Sequence, residues 1–342
     1  MPVEDPIARI LQSKAFVVLD GALATELETR GCDLNHPLWS AKILHEDPKA
    51  IFDVHLDYFK AGADVAITAS YQASIPGLKD YLQHNYSAGH ANDLIAQSVH
   101  LAQEARDKYF SGSSYGDCRR TLLIAGSVGP YGAYLADGSE YRGDYKLATR
   151  AMKDFHRGRI RVLVDEHVDL LACETMPSYA ELSALVSLLR DEFPDTPAWV
   201  SCTLRDSTHI SDGTPIADVV ALLNKADNVI AIGVNCVEQQ MVHDALVELH
   251  RLTTKPLVAY PNSGERYDAS SKTWCDNCAG REELGEVVPK WYAGGARLIG
   301  GCCRTTPKDT LTVRLIADRL TKPPGALESV EEDADDESLD DT

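Results

Sequence analysis

Short apolar runs rich in β-branched residues recur along the chain, and Gly, Pro or Asn bounds most of them. Runs of this length and composition are typical of strands buried on both faces. Their recurrence along most of the chain predicts eight strands. The runs are FVVLDGA (16–22), VAITAS (65–70), LLIAGSVG (122–129), LLACET (170–175), AWVSCTL (198–204), VIAIGVNC (229–236), LVAYPNS (257–263) and RLIGGCC (297–303).

Amphipathic segments separate the runs, with apolar residues three and four positions apart, as in a helix that buries one face. Continuous apolar strands alternating with helices predict a parallel sheet covered by helices. Eight such units predict closure into a single (β/α)8 TIM-type barrel, because an open doubly wound sheet usually has fewer strands. The clearest helical segments are residues 92–110, 145–167, 178–193, 216–226 and 239–252.

The barrel is predicted to occupy residues 14–321, after a lead-in at 1–13 and before a tail at 322–342. Nine acidic residues and no Lys or Arg lie in 328–342, which is about half of the chain's net charge of −19. A segment with so much charge and so few apolar residues cannot offset the entropy of ordering, so the α/β barrel is expected to carry a disordered acidic C-terminal tail.

The composition also narrows the classes of function. An acidic chain without basic clusters is a poor nucleic-acid binder, and no apolar run is long enough to cross a membrane. The acidic start lacks the features of a signal or transit peptide, so a cytoplasmic location is expected. Nine cysteines in that setting are not a disulfide framework, so metal binding, catalysis or burial accounts for them.

Polar and reactive residues stand at the C-terminal ends of the runs. In a closed barrel these ends meet on one face, where the active sites of this fold lie. Turn-forming residues commonly end strands, but carboxylates at strand ends and cysteines are poorly explained in that way. The residues are Asp20, Ser70, Ser127, Glu174, Cys202, Asn235, Cys236, Asn262, Cys302 and Cys303.

Three of these cysteines are the strongest candidates for a metal site. Cys236 ends the sixth run and Cys302 and Cys303 end the eighth, so their thiolates can surround one point and bind Zn²⁺ with a fourth position open. We expect Gly300 and Gly301 to let the backbone bend, so that both neighbouring cysteines face the metal. Simple burial of the cysteines is the alternative.

The sequence offers a second arrangement of cysteines. Cys275 and Cys278 have CxxC spacing and could join the later pair in a four-cysteine structural site, although a matching second CxxC is missing. Cys32, Cys118, Cys173 and Cys202 are expected to be core or surface thiols.

Seven motifs in consistent order resemble the homocysteine S-methyltransferases, zinc-dependent barrels that methylate homocysteine to methionine. The resemblance covers about residues 14–321 and leaves out the tail. The motifs are DGALATEL (20–27), TASYQAS (68–74), GSVGPYGAYLADGSEYRGDY (126–145), ETMP (174–177), GVNC (233–236), YPNSGERYD (260–268) and GGCCRTTP (300–307).

The resemblance implies one Zn²⁺ per chain, held by Cys236, Cys302 and Cys303, with the homocysteine thiol bound as thiolate in the fourth position. It implies no catalytic residue beyond the metal site. Asp20 and Glu174 are implied to hold the ammonium group of the amino acid, near the backbone of Gly21 and Ala22.

The remaining substrate-binding residues are less closely defined. Tyr71 is implied to lie near the methyl donor, where its ring can contact a cation. Ser127 and Asn235 complete the predicted set, and Asn235 is expected to orient the cysteine loop.

The family divides by methyl donor. The TASYQAS and GPYGAYLADGSEYRG elements resemble the S-methylmethionine group, which favours S-methylmethionine, with S-adenosylmethionine as a second donor. The alternative within the family is a thiol or selenol methyltransferase that uses betaine or another donor. The alternative from another class is a noncatalytic zinc or thiol redox sensor. A glycine-rich dinucleotide fingerprint is missing. We expect a monomer that binds small molecules.

Overall fold

The computed structural model describes residues 3–82, 87–112, 120–264, 266–268, 273–275 and 282–321. Three subjects of the sequence predictions, the tail at 322–342, Cys118 and Cys278, lie outside these residues. Side chains at 266–268 and 273–275 are also outside the description.

Eight parallel strands form the barrel, and each lies within or overlaps one of the eight apolar runs, which confirms the predicted fold. The strands are β1 Val17–Val18, β2 Val65–Ile67, β3 Leu123–Val128, β4 Leu170–Met176, β5 Ala198–Cys202, β6 Val229–Asn235, β7 Leu257–Tyr260 and β8 Ala296–Ile299. Neighbouring strands pair in the order β1-β8-β7-β6-β5-β4-β3-β2. An isolated parallel bridge between Leu19 and Val65 joins β1 to β2 and closes the ring.

Helices surround the barrel, and all five segments with a helical period are helical. Short 3-10 helices at Trp39–Lys42 and Ser139–Tyr141 lie in the connections. The α-helices are α1 Pro6–Leu11, α2 Leu23–Thr29, α3 Ile43–Glu46, α4 Pro48–Ala61, α5 Ile75–Leu82, α6 Ala88–Gly112, α7 Tyr131–Leu135, α8 Thr149–Asp165, α9 Tyr179–Glu192, α10 Ile216–Leu223, α11 Gln239–Leu252, α12 Leu284–Ala293 and α13 Pro307–Thr321.

Two apolar clusters hold the architecture together. The larger one lies between the strands and the helices, and the smaller one includes inward-facing strand residues such as Val17, Leu19 and Trp199. Ile7 and Ile10 of α1 belong to the smaller cluster, so the predicted lead-in packs on the barrel instead of trailing from it.

Additional short strands follow two of the barrel strands. Leu204–Asp206 pairs with His209–Ile210 after β5, and Arg266–Asp268 pairs with Thr273–Cys275 after β7. Among the helices that the structure describes, none combines the length and apolar character of a membrane-spanning segment.

Candidate metal and substrate site

Cys236, Cys302 and Cys303 meet at the C-terminal end of the barrel. The Sγ atoms of Cys236 and Cys303 are 3.9 Å apart, and those of Cys302 and Cys303 are 4.0 Å apart. All three sulfur atoms lie within 4.8 Å of one another. Three sulfurs at this spacing fit the donor set of a soft cation with one open position.

The backbone at Cys236 takes a conformation that is unusual for a residue with a side chain. Cys236 follows β6 with a φ of 53°, in the left-handed region. Its N–H donates to the carbonyl of Tyr260 at 3.2 Å, and its Sγ lies 3.2 Å from the hydroxyl of Tyr141. The strand end therefore turns sharply and directs the thiol toward the cysteine pair.

Close packing restricts positions 300 and 301 to glycine, while the bend expected from the sequence stays a prediction. Neither has a positive φ, so the left-handed region is not what requires glycine here. Instead, a Cβ on Gly300 would lie 2.6 Å from Cβ of Leu19, and a Cβ on Gly301 would lie 2.4 Å from Oγ1 of Thr305. The glycines therefore allow the segment after β8 to pack closely against Leu19 and Thr305.

Hydrogen bonds between the three sulfurs polarise the cluster. Those from Cys302 and Cys303 lower the pKa of Cys236 well below its ordinary value, whereas the same contacts and burial raise the pKa of Cys302. The cluster thus favours one thiolate, on Cys236, and positive charge placed among the sulfurs would favour further ionisation.

Asp20 and Glu174 lie in the same cavity as the cysteines. Burial raises the pKa of Asp20 well above its ordinary value, against the N–H that Ile67 donates to its Oδ2 at 2.8 Å. Burial likewise raises the pKa of Glu174 to about 7, although Ser127 donates its hydroxyl to Glu174 Oε1. The repulsion between these two carboxylates would be relieved by a bound cation.

Tyr71, Gly21 and Ala22 also line this cavity, whose volume is about 500 Å³. The ring of Tyr71 packs edge-on against Trp39, with centroids 6.3 Å apart. Gly21 has no room for a side chain, because a Cβ there would lie 2.8 Å from the hydroxyl of Tyr58. The volume falls in the usual range for small-molecule sites.

Asn235 is the one predicted site residue that does not line the cavity. It is completely buried behind the wall, where its Oδ1 accepts from the Thr175 N–H and the Ser201 hydroxyl, each at 2.7 Å. The orienting role expected from the sequence stays a prediction.

Several lining residues were not predicted from the sequence. Glu140, Tyr141 and Gln72 come from the connections after β2 and β3, and Tyr260 ends β7. Glu140 and Tyr141 lie within a motif that carried the family resemblance, which was the available signal. Segment 34–40, which contains Trp39, could not be predicted as part of the site, because its apolar residues follow neither the helical nor the strand period.

The charge of the cavity wall is one-sided. Among the described residues that line it are the acids Asp20, Glu28, Glu140 and Glu174 and the three cysteines, but neither Lys nor Arg. Such a wall favours ligands that carry positive charge.

Among the described residues, the cysteine triad is the one group of at least three His, Cys, Asp or Glu side chains whose ligand atoms lie close enough together to hold a metal ion. Cys32, Cys173 and Cys202 are free thiols outside it. Cys275 ends a short strand, but its side chain and all of Cys278 are outside the description, so the alternative four-cysteine site stays a prediction.

Comparison with known proteins gives consistent results. The profile of the family described as homocysteine S-methyltransferase matches residues 17–317. A homocysteine S-methyltransferase of Escherichia coli is 51% identical over 92% of this chain and 99% of its own length. A selenocysteine methyltransferase of Astragalus bisulcatus is 45% identical over 88% of this chain and 91% of its own.

A solved structure of a similar protein has the same fold as this chain. The metallated form of the Escherichia coli homocysteine methyltransferase superimposes with a TM-score of 0.82 and 48% identity, covering 91% of this chain and 100% of that one.

Proposed function

The chain belongs to the homocysteine S-methyltransferase family and is an enzyme of that family, and we propose that it transfers a methyl group from S-methylmethionine to L-homocysteine in a zinc-dependent reaction. S-adenosylmethionine is the proposed second donor. The products are methionine and the demethylated donor.

The observation that carries this proposal is the cysteine triad inside an acidic cavity. Cys236, Cys302 and Cys303 would hold the metal, because three thiolates suit Zn²⁺ and leave one position open. When bound, zinc supplies Lewis acidity that keeps a thiol ionised at neutral pH. A free thiol, with a pKa near 8.5, is mostly protonated there and is a poor nucleophile.

Asp20 and Glu174 are the proposed contacts for the ammonium group of homocysteine. Both are buried, and among the described residues neither carboxylate forms an ion pair with Lys or Arg. An ammonium between them would restore their ionised forms and receive charge-assisted hydrogen bonds. Ser127 and Tyr260 hold the Glu174 carboxylate in position.

The methyl transfer itself needs orientation more than acid or base catalysis. The thiol of homocysteine releases its proton to solvent, and its sulfur then forms a bond to the methyl carbon. The bond from that carbon to the donor sulfur breaks, and its electron pair stays on the leaving thioether. The chain's residues align the two sulfurs and exclude water.

A sulfonium donor suits the wall better than a neutral donor would. Acids and thiols line the cavity, Lys and Arg are missing from its described lining, and the Tyr71 ring offers a face for a cation. Betaine carries a positive charge as well, so the choice of donor rests on the motifs that resemble the S-methylmethionine group. A selenol acceptor is a second candidate, because one relative is named a selenocysteine methyltransferase.

One purified protein tests these proposals. Bound zinc is measured with and without prior chelation, and methionine formation from homocysteine is followed with S-methylmethionine, S-adenosylmethionine and betaine in parallel. We expect about one zinc per chain, activity that chelation removes and zinc restores, and the highest rate with S-methylmethionine.

Cys302→Ala should abolish activity, and Cys32→Ala, which removes a half-buried thiol outside the triad, should keep it. Activity in Cys302→Ala would contradict the metal site. A higher rate with betaine would overturn the donor assignment. A protein that binds no zinc, shows no turnover and undergoes reversible oxidation of the triad would favour the thiol sensor.

We further propose that residues 14–321 form the catalytic unit, that the protein is a cytoplasmic monomer, and that it does not bind nucleic acid. A reducing compartment would keep the triad thiols reduced. A chain ending at Thr321 should retain full activity, and sedimentation should give the mass of one chain.

A further inference from the structure

Glu140 has a carboxylate oxygen on the cavity wall for which the reaction described so far has no use. Its Oε2 is buried and has no hydrogen-bond partner in the described part of the chain. A buried acceptor without a donor is costly and rare. A bound ligand that brings a donor would satisfy this oxygen.

The structure holds Glu140 firmly at this place. The hydroxyl of Thr203 donates to the Glu140 carbonyl at 3.0 Å, and Gly132 packs so closely that a Cβ there would lie 2.7 Å from the Glu140 nitrogen. The next residue, Tyr141, contacts the Cys236 sulfur at 3.2 Å. Glu140 thus lies near the reacting centre.

A second acceptor in the same cavity is in the same condition. Gln72 donates its Nε2 to the Ala133 carbonyl at 2.9 Å, which fixes the amide, and its buried Oε1 has no partner within the described ranges. Gln72 follows Tyr71, the residue assigned to the methyl donor. A carboxylate oxygen and an amide oxygen without donors fit a ligand group that supplies several N–H donors. A positive charge on that group would complement the carboxylate.

This group differs from the ammonium of homocysteine. Asp20 already accepts from the Ile67 N–H and Glu174 from the Ser127 hydroxyl, at the ends of β1 and β4. Glu140 and Gln72 belong to other connections, beside Tyr71 and Tyr141. Their position beside Tyr71, the proposed donor contact, is the reason to consider them for the second substrate.

We infer that Glu140, assisted by Gln72, binds the α-ammonium group of the methyl donor and thereby selects sulfonium amino acids. This inference rests on the proposed function. A sulfonium has no N–H to offer, and the quaternary ammonium of betaine has none either, whereas S-methylmethionine and S-adenosylmethionine both carry an ammonium. The two acceptors therefore discriminate between donor classes.

Glu140→Gln in the zinc-loaded enzyme is the test, because it keeps the shape and removes the charge. We expect the KM for S-methylmethionine, and its Kd measured calorimetrically without homocysteine, to rise about 10- to 100-fold. The KM for homocysteine should stay within about twofold, since its contacts are elsewhere. Glu140→Asp, which retains the charge, should have an intermediate donor KM.

Glu104→Gln is the matched control. It removes the same charge from an exposed position in α6 that does not line the cavity, and it should leave both KM values unchanged. An unchanged donor KM in Glu140→Gln, or a rise confined to homocysteine, would overturn the inference. A wild-type enzyme that turns over neither sulfonium would instead contradict the proposed function, so the two failures are distinct.

Discussion

Asn235, at the end of β6, holds Thr175, in β4, through two hydrogen bonds. Its Oδ1 accepts the Thr175 N–H at 2.7 Å, and its Nδ2 donates to Thr175 Oγ1 at 2.8 Å. Thr175 follows Glu174, and Asn235 precedes Cys236. Thr175 and Cys236 both have a positive φ, at 61° and 53°. One amide therefore fixes the carboxylate and the metal ligand relative to each other.

Asn235→Ala should weaken metal binding as well as stability. It leaves buried donors and acceptors unpaired, which costs about 2–3 kcal/mol of unfolding free energy. Because the Cys236 turn loses its support, we expect about 10- to 100-fold weaker zinc binding in a chelator competition. Ser201→Ala removes a single contact with Asn235 and should keep zinc affinity near that of the wild type; equal affinity in Asn235→Ala would refute the orienting role.

Glu174→Gln should affect homocysteine more than the donor. The substitution keeps the contact with Ser127 but removes the charge proposed to face the ammonium, so the KM for homocysteine should rise about 10- to 100-fold. Steady-state kinetics with each substrate varied in turn measures the effect. The donor KM should stay within about threefold of wild type, and a larger change in it would reassign Glu174 to the donor.

Gly301→Ala should disturb the cysteine pair through overpacking. The added methyl would meet Thr305 at 2.4 Å, and Thr305 also holds the Cys302 carbonyl through its hydroxyl at 2.6 Å. We expect a loss of about 1–3 kcal/mol of stability together with reduced zinc content, measured by urea unfolding and metal analysis.

Gly285→Ala is the matched control for that variant. A Cβ at Gly285, in α12, has nothing within 4 Å, so the variant should be at least as stable as wild type. If both alanine variants behaved alike, close packing at Gly301 would not be the reason for glycine there.

His55 should make stability depend on pH. This side chain in α4 is buried, and burial lowers its pKa from 6.5 to about 4. Between those values the unfolded chain binds the proton and the folded chain does not, so stability falls as the pH drops from 6.5 toward 4. His55→Leu should remove about 2 kcal/mol of the loss between pH 7.5 and pH 5.

Urea unfolding of metal-free wild type and His55→Leu at the two pH values measures this difference. The comparison of variant with wild type is needed because Glu174, with its raised pKa, changes stability in the opposite direction over the same range. Parallel pH profiles for the two proteins would show that His55 does not titrate as described.

The sequence was sufficient for the barrel because each strand is buried on both faces and leaves a continuous apolar run. It also located Cys236, Cys302 and Cys303, since parallel strands bring their C-terminal ends together. The orientations of side chains were beyond it: neither period nor composition reveals that Asn235 points away from the cavity. Glu140 and Gln72 were not predicted as site residues for a related reason. Both lie in connections between strands and helices, and the conformation of a loop decides which of its residues face a ligand.

The acidic lining of the cavity has a consequence for turnover. Under the proposed reaction the donor enters with a sulfonium and leaves as a neutral thioether, while the acceptor sulfur also ends as a thioether. Substrate binding therefore benefits from an electrostatic attraction that methyl transfer abolishes. The acidic wall attracts the products less strongly than the reactants, so the chemical step itself promotes product release.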